Sequence, residues 1–189
     1  MSKLVKPSKI QAPASTVPMA LRDGAVFGTF GNAWRYPQGD LPDINVWLAL
    51  AVQEHPRHAA AKSYWEGVQR DMHTTPATAP QKIYFCRITM LGLVRLLCQP
   101  KVVGKGALAL PAAWDVYQGF RALGFIDMLA DPVECEVQIQ TLLTTQANLP
   151  TRLWTDAYLA ALAQSSNARL VTFDRDFERF RLPRYRLLA

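Results

Sequence analysis

From Asp40 onward, short runs of β-branched and aromatic residues alternate with longer segments whose apolar residues recur at helical spacing. Few folds accommodate that rhythm. A short strand ends near Asp43, and Ile83-Tyr-Phe-Cys, Phe125-Ile-Asp-Met-Leu and Arg169-Leu-Val-Thr-Phe read as three more. Arg186-Leu-Leu is a candidate fifth. Helices are expected over 46–52, 58–70, 89–99, 111–123, 133–145 and 156–163, with loops at 72–80 and 101–107. Strands that alternate with helices imply an α/β class, an α/β/α sandwich around a central parallel sheet of four to five strands.

Residues 1–39 differ in character. They are rich in Pro, Ala, Ser, Thr and Gly and keep neither period, so they are expected to be a poorly ordered N-terminal extension, with Ala25-Val-Phe-Gly-Thr-Phe as its one strand-like stretch. Residues 40–189 form the folded domain. The basic start lacks the apolar stretch of a secretory signal. No run approaches the roughly 18 apolar residues of a membrane span, so a cytoplasmic protein without membrane contact is expected. Cys86, Cys98 and Cys135 are odd in number and sit in apolar surroundings, which suits buried thiols and neither a disulfide framework nor a zinc site. The net charge is +6, of which residues 1–42 supply half. That balance favours polyanionic partners without requiring one.

The chemistry-bearing residues are acids. In an open parallel sheet, ligands gather beyond the carboxyl ends of the strands. Asp43 and Asp174 fall at two such ends, and Asp156 falls in the first turn of a helix. Taken singly, Asp156 reads as an acid favoured by a helix dipole and Asp174 or Asp176 as a turn residue. Taken together, carboxylates that converge repel one another unless a cation sits between them. A hard divalent ion with oxygen ligands answers that need and can assist hydrolysis of a phosphodiester.

Four segments, in order, resemble the PIN-domain toxins of the VapC type: Leu-Pro-Asp43-Ile-Asn45-Val-Trp-Leu-Ala-Leu; Phe85-Cys-Arg-Ile-Thr89-Met-Leu-Gly-Leu-Val-Arg95; Thr155-Asp156-Ala-Tyr-Leu-Ala-Ala-Leu-Ala; and Leu170-Val-Thr172-Phe-Asp174-Arg-Asp176-Phe. Glu54-His-Pro-Arg-His58 follows the first segment as in a branch of that family. The resemblance covers residues 40–189. It implies a PIN-like fold and a Mg²⁺-dependent endoribonuclease in which Mn²⁺ can substitute. It also implies a cognate antitoxin protein and a homodimer. By motif, Asp43, Asp156 and Asp174 would be metal ligands, with Asp176 completing the catalytic acids, and Asn45 and Thr172 would orient carboxylates or water. One departure stands out. Where many members carry a glutamate three residues before the arginine of the second segment, this chain has Gly92, and no acid occurs between Asp71 and Asp115. The alternative is therefore a catalytically weak or inactive PIN-fold module that binds RNA or antitoxin.

Other signals are weaker. His55 and His58 read as capping or packing residues more readily than as a metal pair. Arg169, Arg175, Arg179, Arg181, Arg184 and Arg186, with Lys101 and Lys105, could follow an RNA backbone or an acidic antitoxin segment, or form a solvated face. Trp47, Trp65, Tyr64 and Trp114 read as core or dimer-interface residues. No Gly-rich loop followed by Lys-Ser/Thr is present, which argues against nucleoside-triphosphate hydrolysis.

Overall fold

Five short strands, β1 (Gly39–Pro42), β2 (Lys82–Phe85), β3 (Ile126–Met128), β4 (Arg169–Thr172) and β5 (Tyr185–Leu187), pair in parallel in the order β3-β2-β1-β4-β5. The structure is a computed structural model that describes residues 39–74 and 82–189. Residues 1–38 of the N-terminal extension, with the strand-like stretch at 25–30, lie outside the described residues, whereas Gly39 belongs to β1. The sheet grows from β1 to β3 on one side and then returns to β4 on the other, so the topology reverses between β1 and β4. Their register pairs Leu41 with Leu170 and Pro42 with Val171, which places the two carboxyl ends side by side. Ligands of open α/β sheets bind at such a reversal.

Helices cover both faces because side chains alternate along each strand. Ile83, Phe85 and Val171 enter one core with α1 (Ile44–Ala51), α2 (His58–Thr74), α3 (Arg87–Leu97) and α5 (Leu110–Arg121). Leu41, Tyr84 and Leu170 enter the other with α6 (Glu134–Thr145) and α7 (Trp154–Ser165). The α1 segment is apolar on nearly all sides, as a helix between a sheet and two other helices must be. Its Trp47 stacks on Phe85 with centroids 3.7 Å apart and meets Phe120 edge-on at 5.2 Å. Each such pair contributes about 0.5–1.5 kcal/mol beyond burial, enough to fix the rotation of α1 about its axis. That rotation sets where Asn45 points.

Several boundaries differ from expectation for local reasons. The α3 helix starts at Arg87 and not at Thr89. Thr89 is buried one turn in, and its hydroxyl oxygen accepts from the Cys86 amide at 2.9 Å, so it caps from inside the helix. Proline at the first position opens a short helix, α4 (Pro100–Val103), inside the expected loop. The α2 helix continues to Thr74, into the region read as a loop. Cys86 and Cys135 are buried as expected, and Cys98 is half-buried.

Candidate active site

The Asp43 amide donates to the Val171 carbonyl at 2.8 Å, so Asp43 is the last residue held by the β1–β4 ladder and also the N-cap of α1. This dual position explains its burial: 8% of the residue is exposed. Its Oδ1 accepts from the Ile44 amide at 2.6 Å. Its Oδ2 accepts from Asn45 Nδ2 at 2.6 Å and from the Thr172 hydroxyl at 2.9 Å. All three donors are neutral, and none supplies the charge that a buried carboxylate lacks. Burial therefore dominates over these hydrogen bonds and, with smaller repulsion from Asp156 and Asp174, leaves the carboxyl pushed up to about 6.

Thr172, the fully buried last residue of β4, joins the parts. Its oxygen lies 3.0 Å from Asn45 Nδ2 and accepts from the Asp174 amide at 3.0 Å. Asn45 Oδ1 accepts from the Phe173 amide at 3.2 Å. The two residues expected to orient the acids thus bridge the ends of β1 and β4.

Asp156 stands in the first turn of α7, whose alanine-rich buried face brings the helix close against the sheet. Partial burial raises its carboxyl, as do the charges of Asp174 and Asp176, while Arg152 and Arg179 oppose the rise. Asp174 caps a 3-10 turn over Arg175–Phe180, accepting the Asp176 amide at 2.8 Å. Asp176 itself is taken by Arg152: Nη1 donates to Oδ2 at 2.8 Å, and this pairing holds the carboxyl below its usual range. Asp43, Asp156 and Asp174 share one electrostatic field; Asp176 also acts on Asp156, but its own carboxylate is paired with Arg152. Among the described residues, no three acidic, histidine or cysteine side chains stand close enough to enclose a metal ion by themselves. The donor set still fits Mg²⁺, which keeps several waters and asks for only a few carboxylates.

Gly92 is tightly enclosed. A Cβ there would lie 2.6 Å from Ile44 Cδ1 and 3.0 Å from its Cγ1. Ile44 thus fills the space beside α3 where a longer side chain at position 92 would start. Glu54 is exposed in the α1–α2 connection. His55 and His58 are engaged locally: His55 Nδ1 accepts from the Arg57 amide at 3.2 Å, and a His58 ring nitrogen lies 2.8 Å from the Ala49 carbonyl. No sequence signal singles out Arg57 or Arg152. Arg57 donates to the Phe173 carbonyl at 2.8 Å and lies over the Phe173 ring. Arg169, counted among the candidate RNA contacts, is held by Asp40.

A buried carboxyl, Asp43, stands at the reversal of a five-stranded parallel sheet, the place where open α/β folds bind their ligands, with Asp156 and Asp174 in its electrostatic field. The PIN domain model matches residues 41–182. The chain is 35% identical over 153 residues to ribonuclease VapC41 of Mycobacterium tuberculosis, covering 79% of this chain and 98% of the relative. It is 31% identical over 134 residues to ribonuclease VapC38 of the same organism, covering 71% and 84%. Among solved structures, VapBC2 of Rickettsia felis bound to a promoter DNA fragment superposes with a TM-score of 0.55 at 15% identity, covering 79% of this chain and 98% of that one. VapC20 of M. tuberculosis, described as a sarcin–ricin-loop-cleaving toxin, gives 0.51 at 17% identity, covering 75% and 94%. The chain belongs to the PIN-domain family and, within it, to the VapC ribonucleases. Nucleases of this kind are generally dependent on divalent metals. Among the described residues no helix is long and apolar enough to cross a membrane.

Proposed function

We propose that the protein is a metal-dependent endoribonuclease, the toxin of a type II toxin–antitoxin pair, with Asp43, Asp156 and Asp174 as its metal site. The observation that carries this reading is the Asp43 carboxyl, buried with neutral donors only and within the electrostatic field of two further acids. When bound, a divalent cation (Mg²⁺, with Mn²⁺ as substitute) acidifies the attacking water and offsets the charge that builds on the phosphodiester. The chain's own residues prepare that site. Asn45 and Thr172 fix Oδ2 of Asp43, the Ile44 amide fixes Oδ1, and Thr172 ties the Asp174 backbone to the same point. Such preorganisation removes reorganisation from the reaction step.

The test is cleavage of total RNA by purified protein with Mg²⁺ or Mn²⁺, beside Asp43→Asn and Asp156→Asn. Metal-dependent cutting that both variants lose by about a hundredfold or more supports the nuclease. The packing of Ile44 onto Gly92 favours the second reading, a binding module without catalysis. RNA or antitoxin retention that ignores chelator, with no cutting, would decide for it.

Two partners belong to this proposal. An antitoxin is supported by the structural neighbours, which are toxin–antitoxin complexes. A homodimer is supported by an apolar groove of about 590 Å³ on α3 and α5, where Leu91, Leu110 and Trp114 are exposed. Apolar patches of this kind are characteristic of interfaces. Leu110→Glu is expected to yield a monomer by light scattering. An unchanged mass would move the interface elsewhere.

A further inference from the structure

An acidic site poses a problem for an RNA substrate, because the carboxylates that hold a metal also repel the phosphate backbone on either side of the scissile bond. Cations must flank the acids to hold the strand there. The sequence draws the eye to the arginine-rich tail, but the structure commits two of those arginines elsewhere. Arg169 is spent on Asp40, and Arg184 donates to the Asn167 carbonyl.

Two other arginines are anchored on the turn that carries Asp174. Arg57, from the α1–α2 connection, donates Nη1 to the carbonyl of Phe173, one residue before Asp174, and its guanidinium lies 5.0 Å from the Phe173 ring centroid. Arg152, from the 3-10 turn before α7 (Thr151–Leu153), donates Nη1 to Asp176, two residues after Asp174. Its side chain is 66% exposed, and Arg57 is exposed as well. Each guanidinium is thus oriented through one N–H while its remaining donors face solvent. Planar, preoriented and weakly hydrated, guanidinium groups in this state suit phosphate oxygens. In this arrangement Asp176 acts as the anchor of Arg152.

We propose that Arg57 and Arg152 form a two-sided clamp on the RNA backbone, holding the phosphates that flank the scissile one over the Asp43–Asp156–Asp174 cluster. The clamp rests on the proposed RNA substrate. Both arginines are positioning residues, acting on non-reacting phosphates.

Binding of a fluorescein-labelled single-stranded oligoribonucleotide of mixed sequence, followed by anisotropy over a salt series in chelator, tests the clamp apart from cleavage. Arg57→Gln and Arg152→Gln are each expected to weaken binding about fivefold at low salt. Each should also reduce the slope of log affinity against log salt by about 0.7. Arg152→Lys should restore the slope, since charge alone sets it. Lys62→Gln, which removes a charge from the Lys62–Glu66 pair on α2, should change neither value. With Mg²⁺ present, the two glutamine variants should raise KM and leave kcat nearly unchanged. Wild-type protein that fails to cut RNA, with the slopes still lost in the variants, would keep the clamp and remove the nuclease reading. Wild-type protein that cuts, with affinity, slope and KM unaltered in both variants, would overturn the clamp. So would variants that bind RNA normally and lose only the antitoxin, or that lower the melting temperature without touching the slope.

Discussion

Asp40 lies near the start of β1 and Asp43 just past its end, three residues on; both are buried, yet their surroundings are opposite. Asp40 is fully enclosed and receives Nε and Nη2 of Arg169 at 2.7 and 2.8 Å, together with the Tyr64 hydroxyl at 2.8 Å. Asp43 receives only neutral donors and has Asp156 and Asp174 as charged neighbours. The first is a completed ion pair that joins β1, β4 and α2. The second is a carboxylate left in need of positive charge. Burial alone therefore does not mark a functional acid; what distinguishes it is the absence of an internal counter-charge at a place where ligands can reach.

The largest expected effect comes from making Asp40 resemble Asp43. Arg169→Met leaves Asp40 buried with the Tyr64 hydroxyl as its remaining partner and should cost about 3–5 kcal/mol in urea unfolding. A loss below about 1 kcal/mol would show that water already screens the pair.

Next in size is the pH response of Asp43. Its folded carboxyl, at about 6, lies above its ordinary value of 3.8, so the folded state holds the proton more tightly than the unfolded chain does. Stability supplied by that proton is present below about pH 4 and lost as pH rises through about 6, approaching about 3 kcal/mol. The raised carboxyl of Asp156 acts in the same direction. Urea midpoints measured in chelator should fall over that window, Asp43→Asn should flatten the fall, and Mg²⁺ should reverse it at neutral pH. A profile that Asp43→Asn leaves unchanged would place the titration elsewhere.

Thr172→Val then tests whether neutral donors tune the site. It removes the hydroxyl shared by Asp43, Asn45 and Asp174 and should lower Mn²⁺ affinity, read by calorimetry, about 10- to 100-fold. Equal loss of helical circular dichroism would assign the hydroxyl to folding instead.

The smallest effect concerns Gly92. Alanine there gains about 1 kcal/mol of helix propensity but presses on Ile44, whose branched side chain is stiff at χ1 in a helix. The contact should cost about 1–3 kcal/mol, so Gly92→Ala is expected to be slightly destabilising. In an Ile44→Ala background the sign should invert. Additive behaviour would mean that the two residues do not press on each other.

The fold was legible because its signals are local. Short apolar runs rich in β-branched and aromatic residues at Ile83–Phe85 and Arg169–Thr172 announce strands, and a parallel sheet then places Asp43 and Asp174 on one edge. Asn45 and Thr172 followed from the resemblance, and their hydrogen bonds to Asp43 give that expectation a geometry. The arginines were not legible. Arg169 meets Asp40 across 129 residues, Arg57 meets Phe173 across 116, and Arg152 meets Asp176 across 24. No periodicity records which cation is committed internally and which is left facing solvent. Asp176 was expected among the catalytic acids by resemblance; its pairing with Arg152, 24 residues away, is a contact that no motif records.

The contact between Ile44 and Gly92 also constrains the substitutions open to this chain. A side chain at position 92 meets Ile44 of α1, whose Cδ1 and Cγ1 lie where its first carbon would sit. Ile44 must turn aside or shrink to admit one, and either change loosens the start of the helix that begins at Asp43. The packing of α1 on α3 thus governs what the second segment can carry at this position.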